Sequence, residues 1–202
     1  DGTGGVATNY ALPTLNASNA AVTITAATLT PTITNSSVTK EYNGTTTSSI
    51  TPTYSFTGLV SGDTDATLTN TGIAYNFKDV ATGNLITVSG LSISSITGNK
   101  SSVASDYALS ATSKTVAATI TQKALTESGL SVAASRAYDG TTAATVSGTA
   151  ALLSAETAGS GSTSDGKPYT GDTVSITGTA VGTYNSAHVA SASSVTFSGL
   201  SL

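Results

Sequence analysis

The sequence carries an internal repeat, and this feature constrains its fold more than any other. A Tyr-Asx-Gly-Thr-Thr motif begins at Tyr42 and recurs at Tyr138, 96 positions later. Further along, Gly62-Asp63 is matched by Gly171-Asp172 at an offset of 109 positions. A β-solenoid would show a much shorter period, of roughly 20–25 residues. The spacing therefore predicts two compact domains in tandem.

The change of offset locates an insertion in the second copy. The 13 additional residues (109 minus 96) fall in the segment 154–168, whose Ser and Gly content predicts a surface loop. At the front, Tyr10-Ala11-Leu12 repeats Tyr107-Ala108-Leu109. We therefore predict the tail of a preceding repeat at 1–27, a complete repeat at 28–122, and a second repeat at 123–202 that is truncated before its closing strands. The chain is interpreted as a piece of a longer protein, and the tail is predicted to pair with an open sheet edge, in its own chain or in a neighbour.

The composition favours β-structure. Only 9% of the residues are charged, against about 25% in a typical domain, and β-branched Thr and Val are abundant, which favours strands. Leu85–Ile96 and Thr115–Thr121 predict strands, Asn43-Gly44 and Asp139-Gly140 predict tight hairpin turns, and no segment predicts a helix. The predicted fold class is all-β, with tandem compact antiparallel β-sandwich-like modules (Ig-like or β-grasp-like) arranged end to end.

The order of the motifs resembles that of YDG-type tandem repeats in large filamentous-haemagglutinin-like bacterial adhesins of the two-partner-secretion class. Asn43 departs from the Asp that the motif name expects. The resemblance implies a secreted protein of the bacterial cell surface or extracellular matrix, with a role in cell adhesion or biofilm formation. It assigns structural rather than catalytic roles to the motif residues, which are Tyr42, Asn43, Gly44, Gly62, Asp63, Tyr138, Asp139, Gly140, Gly171 and Asp172.

The sequence offers little catalytic or metal-binding chemistry. His188 is the single histidine and aligns with Asp79 in the first copy, so a Ser-His-Asp arrangement is not repeated. The absence of Cys excludes thiol chemistry and Cys-His zinc sites. Weak calcium candidates are Asp63, Asp65 and Asp172, although Asp also stabilises turns. We therefore predict no enzyme activity and no cofactor, with calcium as the one candidate ion.

A covalent Lys–Asn crosslink is the other chemistry that the composition allows. It would use one of the lysines with a neighbouring Asn and an acid. Lys40 aligns with Arg136, and Lys78 aligns with Ala187, so neither amine is kept in the second copy. A crosslink needed by every repeat is therefore not predicted for any of Lys40, Lys78, Lys114 or Lys123.

Charge and hydropathy limit the partners. A net charge of −4 and seven Lys and Arg predict no nucleic-acid binding, and the lack of a long apolar run predicts no membrane insertion. The predicted function is a non-catalytic structural repeat of a secreted bacterial surface adhesin, forming an elongated stalk that presents a distal binding region. The alternative is a carbohydrate- or matrix-binding module that uses surface loops such as 154–168. The predicted partners are neighbouring repeats and, through the parent adhesin, a host-cell or matrix glycan or protein.

Overall fold

The structure is a computed structural model that describes residues 4–12 and 22–202. The first repeat forms the strands β1 (Ala27–Ile33), β2 (Val38–Glu41), β3 (Tyr54–Thr57), β4 (Asp63–Thr69), β5 (Gly72–Tyr75), β6 (Leu85–Ser89), β7 (Ser92–Gly98), β8 (Tyr107–Leu109) and β9 (Ser113–Thr121). The second forms β10 (Glu127–Val132), β11 (Ala143–Ala144), β12 (Val146–Leu152), β13 (Thr177–Tyr184) and β14 (Val195–Ser201). In the ranges that the structure describes, two short 3-10 helices, Ala7–Asn9 and Ala104–Asp106, accompany them. Within the described ranges, no helix has the length and hydropathy of a membrane span.

The first repeat is built from three sheets. One has the strand order β2-β9-β6-β5, the second β3-β1-β8, and the third pairs β4 with β7. The closing strands β8 and β9 pair in parallel with the opening strands β1 and β2, respectively, whereas the other pairs are antiparallel. The beginning and the end of the repeat therefore lie side by side.

Two apolar clusters fill the spaces between these sheets. The larger has Ile86, Val88 and Ile120 at its centre, each at most 1% exposed, and Ile33 and Tyr54 of the β3-β1-β8 sheet pack against it. The smaller joins that sheet to β4 and β7 through residues that include Leu29, Ala66 and Tyr107. This layered, all-β sandwich-like arrangement confirms the predicted fold class.

The second repeat has a related but more open arrangement. Its sheets are β10-β12 and β11-β13-β14. Residues up to 202 contain no counterpart of β8 and β9, and Val181 and Val189 are 52% and 83% exposed. Because β9 pairs with β2 in the first repeat, the absence of a β9 counterpart also explains why the counterpart of β2, residues 134–137, is not a strand.

The predicted tail at 1–27 lies partly outside the described residues, since 1–3 and 13–21 are not described. Tyr10, Leu12 and Ile24 are 78%, 94% and 94% exposed. The described residues before Ala27 form no strand, so they show no pairing within this chain. Pairing with a neighbouring chain stays a prediction, as do the predicted domain boundaries.

Three local expectations are corrected. The segment Leu85–Ile96 is two strands, β6 and β7, because the chain turns at Gly90, which has a φ of 63°. Neither Asx-Gly turn is a hairpin. β2 leads into Asn43-Gly44 but pairs with β9, and β11, which follows Asp139-Gly140, pairs with β13. The sheets are not purely antiparallel, because the closing strands run parallel to the opening ones.

Candidate functional site at the junction of the two repeats

The Tyr-Asx-Gly motif forms the same turn in both repeats. The Asn43 side-chain oxygen accepts hydrogen bonds from the Thr45 backbone N–H (3.2 Å) and hydroxyl (3.1 Å). Asp139 accepts the equivalent two bonds from Thr141, at 2.9 and 3.0 Å. The bond from the Thr141 backbone N–H is the main reason why the pKa of Asp139 is lowered. Gly44 and Gly140 follow with φ values of 72° and 77°, a region that favours glycine.

A basic side chain hydrogen-bonds to this turn in each repeat. Lys40 Nζ donates to the Asn43 side-chain oxygen (2.9 Å) and lies 4.7 Å from the ring centroid of Tyr75. Arg136 donates to Asp139 (3.0 Å) and lies 4.7 Å from the ring centroid of Tyr184. The aligned Lys and Arg therefore have one role, which needs a positive charge over an aromatic ring rather than a particular amine.

Tyr42 connects the turn of the first repeat with the second repeat. Its hydroxyl donates to the Asp172 carboxylate, whose two oxygens both lie at 2.9 Å. Its ring meets Tyr169 edge-on, with centroids 5.8 Å apart. Lys78 Nζ donates to the Tyr42 hydroxyl oxygen at 3.1 Å and lies 3.5 Å from Asp172. Burial raises the pKa of Tyr42, so the hydroxyl stays protonated and acts as the donor.

The insertion of the second repeat packs against the same turn. The Gly159 N–H donates to the Asn43 carbonyl at 2.8 Å. A Cβ built on Gly44 would lie 2.7 Å from the Cβ of Ala158, so the insertion fits only against a glycine at that position. We use the term junction for Tyr42, Asn43, Gly44 and Lys78 of the first repeat, together with segment 156–172 of the second.

A buried lysine lies beside the junction. The side chain of Lys123 is 2% exposed, and its Nζ lies 3.0 Å from Glu156 and 2.9 Å from Asp165. It also lies 4.1 Å from the ring centroid of Tyr169, which is 2% exposed. Both acids belong to the insertion, and Lys123 lies in the connection between β9 and β10. We name Lys123, Glu156, Asp165 and Tyr169 the lysine cluster.

The two aligned aspartates, Asp63 and Asp172, accept hydrogen bonds from the hydroxyl groups of different tyrosines. Asp63 is 9% exposed and accepts from the Tyr107 hydroxyl (2.6 Å) and the Ser102 hydroxyl (2.7 Å) within its own repeat. These two bonds, that of Tyr107 first, lower the pKa of Asp63. Asp172 accepts instead from Tyr42 of the other repeat.

The structure does not bring the calcium candidates together. The carboxylate of Asp63 accepts a hydrogen bond from Tyr107, and that of Asp172 accepts one from Tyr42. The Asp65 carboxylate accepts the backbone N–H of Ala66 at 2.8 Å. Among the residues described, no three His, Asp or Glu side chains are grouped as metal ligands. Calcium needs six or more oxygens, and the candidates here do not supply them.

The remaining predicted residues occupy turns and surfaces. Gly62 and Gly171 have φ values of 104° and 96°. Tyr138, the counterpart of Tyr42, is 62% exposed. His188 lies in a turn where its carbonyl accepts from the N–H groups of Ser191 and Ala192.

A scan against protein-family models matches the YDG domain twice, at residues 25–115 and 121–202. The chain belongs to the YDG domain family. A search of curated proteins and a search of solved structures find no match. The two repeats of the sequence are therefore two YDG domains, and the Tyr42 turn joins one to the other.

This assignment corrects one expectation drawn from the motifs. YDG/SRA domains are known as methyl-DNA-binding modules of eukaryotes and phages, and not as repeats of filamentous-haemagglutinin adhesins. The assignment of this chain to the filamentous-haemagglutinin-like, two-partner-secretion class is therefore wrong. The YDG domain and the all-β fold are what the comparison and the structure support.

The lysine cluster is the feature that the sequence did not reveal. Lys123 aligns with Ala27, and its acidic partners lie in an insertion that the first YDG domain lacks, so the repeat pattern gave no signal for it. A search for acids near Lys123 in sequence fails as well, because Glu156 and Asp165 lie 33 and 42 positions away.

Proposed function

We propose that the chain is a non-catalytic structural repeat of a secreted bacterial surface adhesin, in which successive YDG domains form an elongated stalk that presents a distal binding region. The observation that carries this proposal is the junction. Tyr42, the same residue type in both repeats, contacts Asp172 and Tyr169 of the neighbouring domain. A motif used in this way supports an architectural role.

The charges of the domains also support a structural role over a nucleic-acid-binding one. Affinity for phosphates comes largely from Lys and Arg. The chain has seven such residues against eleven Asp and Glu, and Lys40, Lys78, Lys123 and Arg136 bind groups of the chain itself. We therefore do not propose DNA binding, despite the use of the YDG name for DNA-binding modules.

The insertion supports the same proposal and disfavours the loop-binding alternative. Segment 154–168 contacts the first domain through Ala158 and Gly159 and holds Lys123 through Glu156 and Asp165. A recognition loop would present its polar side chains to solvent. We propose that this loop sets the connection between the domains, with neighbouring repeats as its partners.

Small-angle X-ray scattering of matched variants tests the stalk proposal. The wild-type chain is expected to give an elongated particle with a narrow distribution of inter-domain distances. Tyr42→Ala removes the contacts with Tyr169 and Asp172, so the distribution should broaden. Tyr138→Ala is the control, because the equivalent ring is 62% exposed and its removal should leave the profile unchanged. A compact wild-type particle, or identical profiles for wild type and Tyr42→Ala, would contradict the proposal.

A further inference from the structure

The lysine cluster places an amine against a carboxyl group in a buried site. Lys123 Nζ is 2.9 Å from Asp165 Oδ1 and 3.0 Å from Glu156 Oε1, and the lysine side chain is 2% exposed. The two acids are 13% and 21% exposed at their side chains. Charged lysine is rarely buried to this extent, and a single carboxylate would be enough to balance it. The second acid is therefore unexplained by charge pairing alone.

The backbone holds the three groups in place. The Glu156 N–H donates to the Pro168 carbonyl (3.0 Å), and the Thr170 N–H donates to the Glu156 carbonyl (2.7 Å). On the lysine side, the Thr126 N–H donates to the Gly166 carbonyl at 2.9 Å, which ties the start of the second domain to the residue after Asp165. Reacting groups held in contact by a rigid frame behave as if at very high local concentration.

Lys123 and Asp165 form a charged pair in the folded protein. The Lys167 backbone N–H and then the Lys123 amine lower the pKa of Asp165 to about 2. Burial disfavours the charged form of Lys123, while its bonds to the acids favour it and keep the pKa of the amine raised.

We propose that Lys123 and Asp165 form an intramolecular isopeptide bond, with Glu156 as the residue that transfers protons between them. The buried ion pair becomes a neutral amine and a carboxylic acid when one proton moves from Nζ to Asp165 through Glu156. The Nζ lone pair then attacks Cγ of Asp165 and a C–N bond forms. Glu156 takes a second proton from the nitrogen and passes it to the Oδ2 hydroxyl, whose C–O bond breaks. Oδ2 leaves as water, so that one ammonium and one carboxylate give one amide and one water.

The surroundings of Asp165 suit this reaction. Its Oδ1 accepts the Lys167 backbone N–H at 3.0 Å, a donor placed to stabilise the negative charge that develops on that oxygen during attack. The partner is an Asp in the insertion and not the Asn considered from the sequence. The first YDG domain has Ala27 at the position of Lys123 and lacks the insertion, so the crosslink belongs to the second domain alone. The inference is independent of the stalk proposal.

Mass spectrometry of the intact, denatured chain tests the crosslink. The wild-type mass is expected to be about 18 Da below the sequence mass, the loss of one water. Lys123→Arg keeps the charge and should show the full mass, as should Asp165→Ala. Glu156→Gln should slow the loss of water by about 100-fold or more. Glu127→Gln alters an exposed acid of the same domain and should leave the crosslink intact.

Tryptic digestion of the denatured chain separates the crosslink from a succinimide at Asp165-Gly166, which also loses one water. A linked Lys123 resists trypsin, so residues 115–136 should appear joined to residues 137–202, since Lys167 precedes Pro168. The proposal is overturned by a full wild-type mass after prolonged incubation of the folded protein. It is equally overturned by a mass loss that leaves free peptides 115–123 and 124–136. Thermal unfolding of each variant establishes that it is folded.

Discussion

At the scale of single residues, the two copies of the motif are alike in bonding and differ in surroundings. Asn43 and Asp139 accept the same pair of bonds from a Thr two positions on, and each has a cation beside it. Only the first copy is covered by another domain. Comparison of equivalent substitutions therefore separates the energy of the turn from that of the junction.

Gly44→Ala should destabilise the chain more than Gly140→Ala. Both introduce a Cβ at positive φ, at a cost of about 1–2 kcal/mol. At Gly44 the new Cβ also lies 2.7 Å from that of Ala158, whereas at Gly140 the nearest atom is 3.9 Å away. Overpacking should add about 1–3 kcal/mol. Urea unfolding measures both, and Ala158→Gly should rescue Gly44→Ala; equal effects at both glycines would contradict the packing observed.

Asp63→Asn should reduce the acid sensitivity of the first domain. Tyr107 and Ser102 hold the folded pKa of Asp63 below its ordinary value of 3.8. A lowered folded pKa contributes stability that is present above 3.8 and is lost as the pH falls through the folded value. The melting temperature of the wild type should therefore fall more steeply than that of Asp63→Asn between about pH 5 and pH 2. Equal slopes for the two proteins over this range would contradict the prediction.

At the scale of elements, one short sequence pattern occurs twice in the chain, in two different environments. Residues 117–121 (AATIT) form the end of β9, and Ile120 is 1% exposed. Residues 21–25 (AVTIT) repeat that pattern near the front, yet Ile24 is 94% exposed. The strand therefore depends on the sheet beside it, in keeping with the context dependence of β-propensity.

Ile120→Ala should destabilise the first domain by about 2–5 kcal/mol, because it leaves a cavity at the centre of the larger cluster. Ile24→Ala, the matched change in the exposed copy, should leave the unfolding midpoint unchanged. Chemical unfolding of the two variants in parallel measures the difference. A comparable loss of stability at Ile24 would show that the front segment is packed after all.

The sequence predicted the elements better than their pairing. Alternating Thr, Val and Ile identified β9 and the segment that holds β6 and β7, and the Asx-Gly pairs identified turns whose glycines do have positive φ. The hairpins predicted at Asn43-Gly44 and Asp139-Gly140 were wrong, because a turn signal does not say which strand the chain meets next. The parallel pairs of β1 with β8 and β2 with β9 join residues about 80 positions apart, and local patterns carry no information at that range.

At the scale of the whole molecule, the contacts that matter cross between copies or exist in one copy alone. Tyr42 reaches Asp172, 130 positions away, and the lysine cluster depends on an insertion. A repeat comparison finds what the copies share and so predicts the domain fold. It cannot find features in which the copies differ. Only the structure shows the lysine cluster, and only the structure shows that Asp63 accepts from Tyr107 whereas the aligned Asp172 accepts from Tyr42.

The parallel pairing of first and last strands has a mechanical consequence for the first YDG domain. Tension applied at residues 27 and 121 would pull β1 and β9 in opposite directions along their lengths. The hydrogen bonds between β1 and β8 and between β2 and β9 would then be strained in shear, all together, whereas an antiparallel hairpin opens one bond at a time. Single-molecule stretching should therefore show a higher unfolding force when the domain is pulled at its two ends than when it is pulled across the β6–β9 pair. Such a domain is expected to resist extension when force is applied at its two ends.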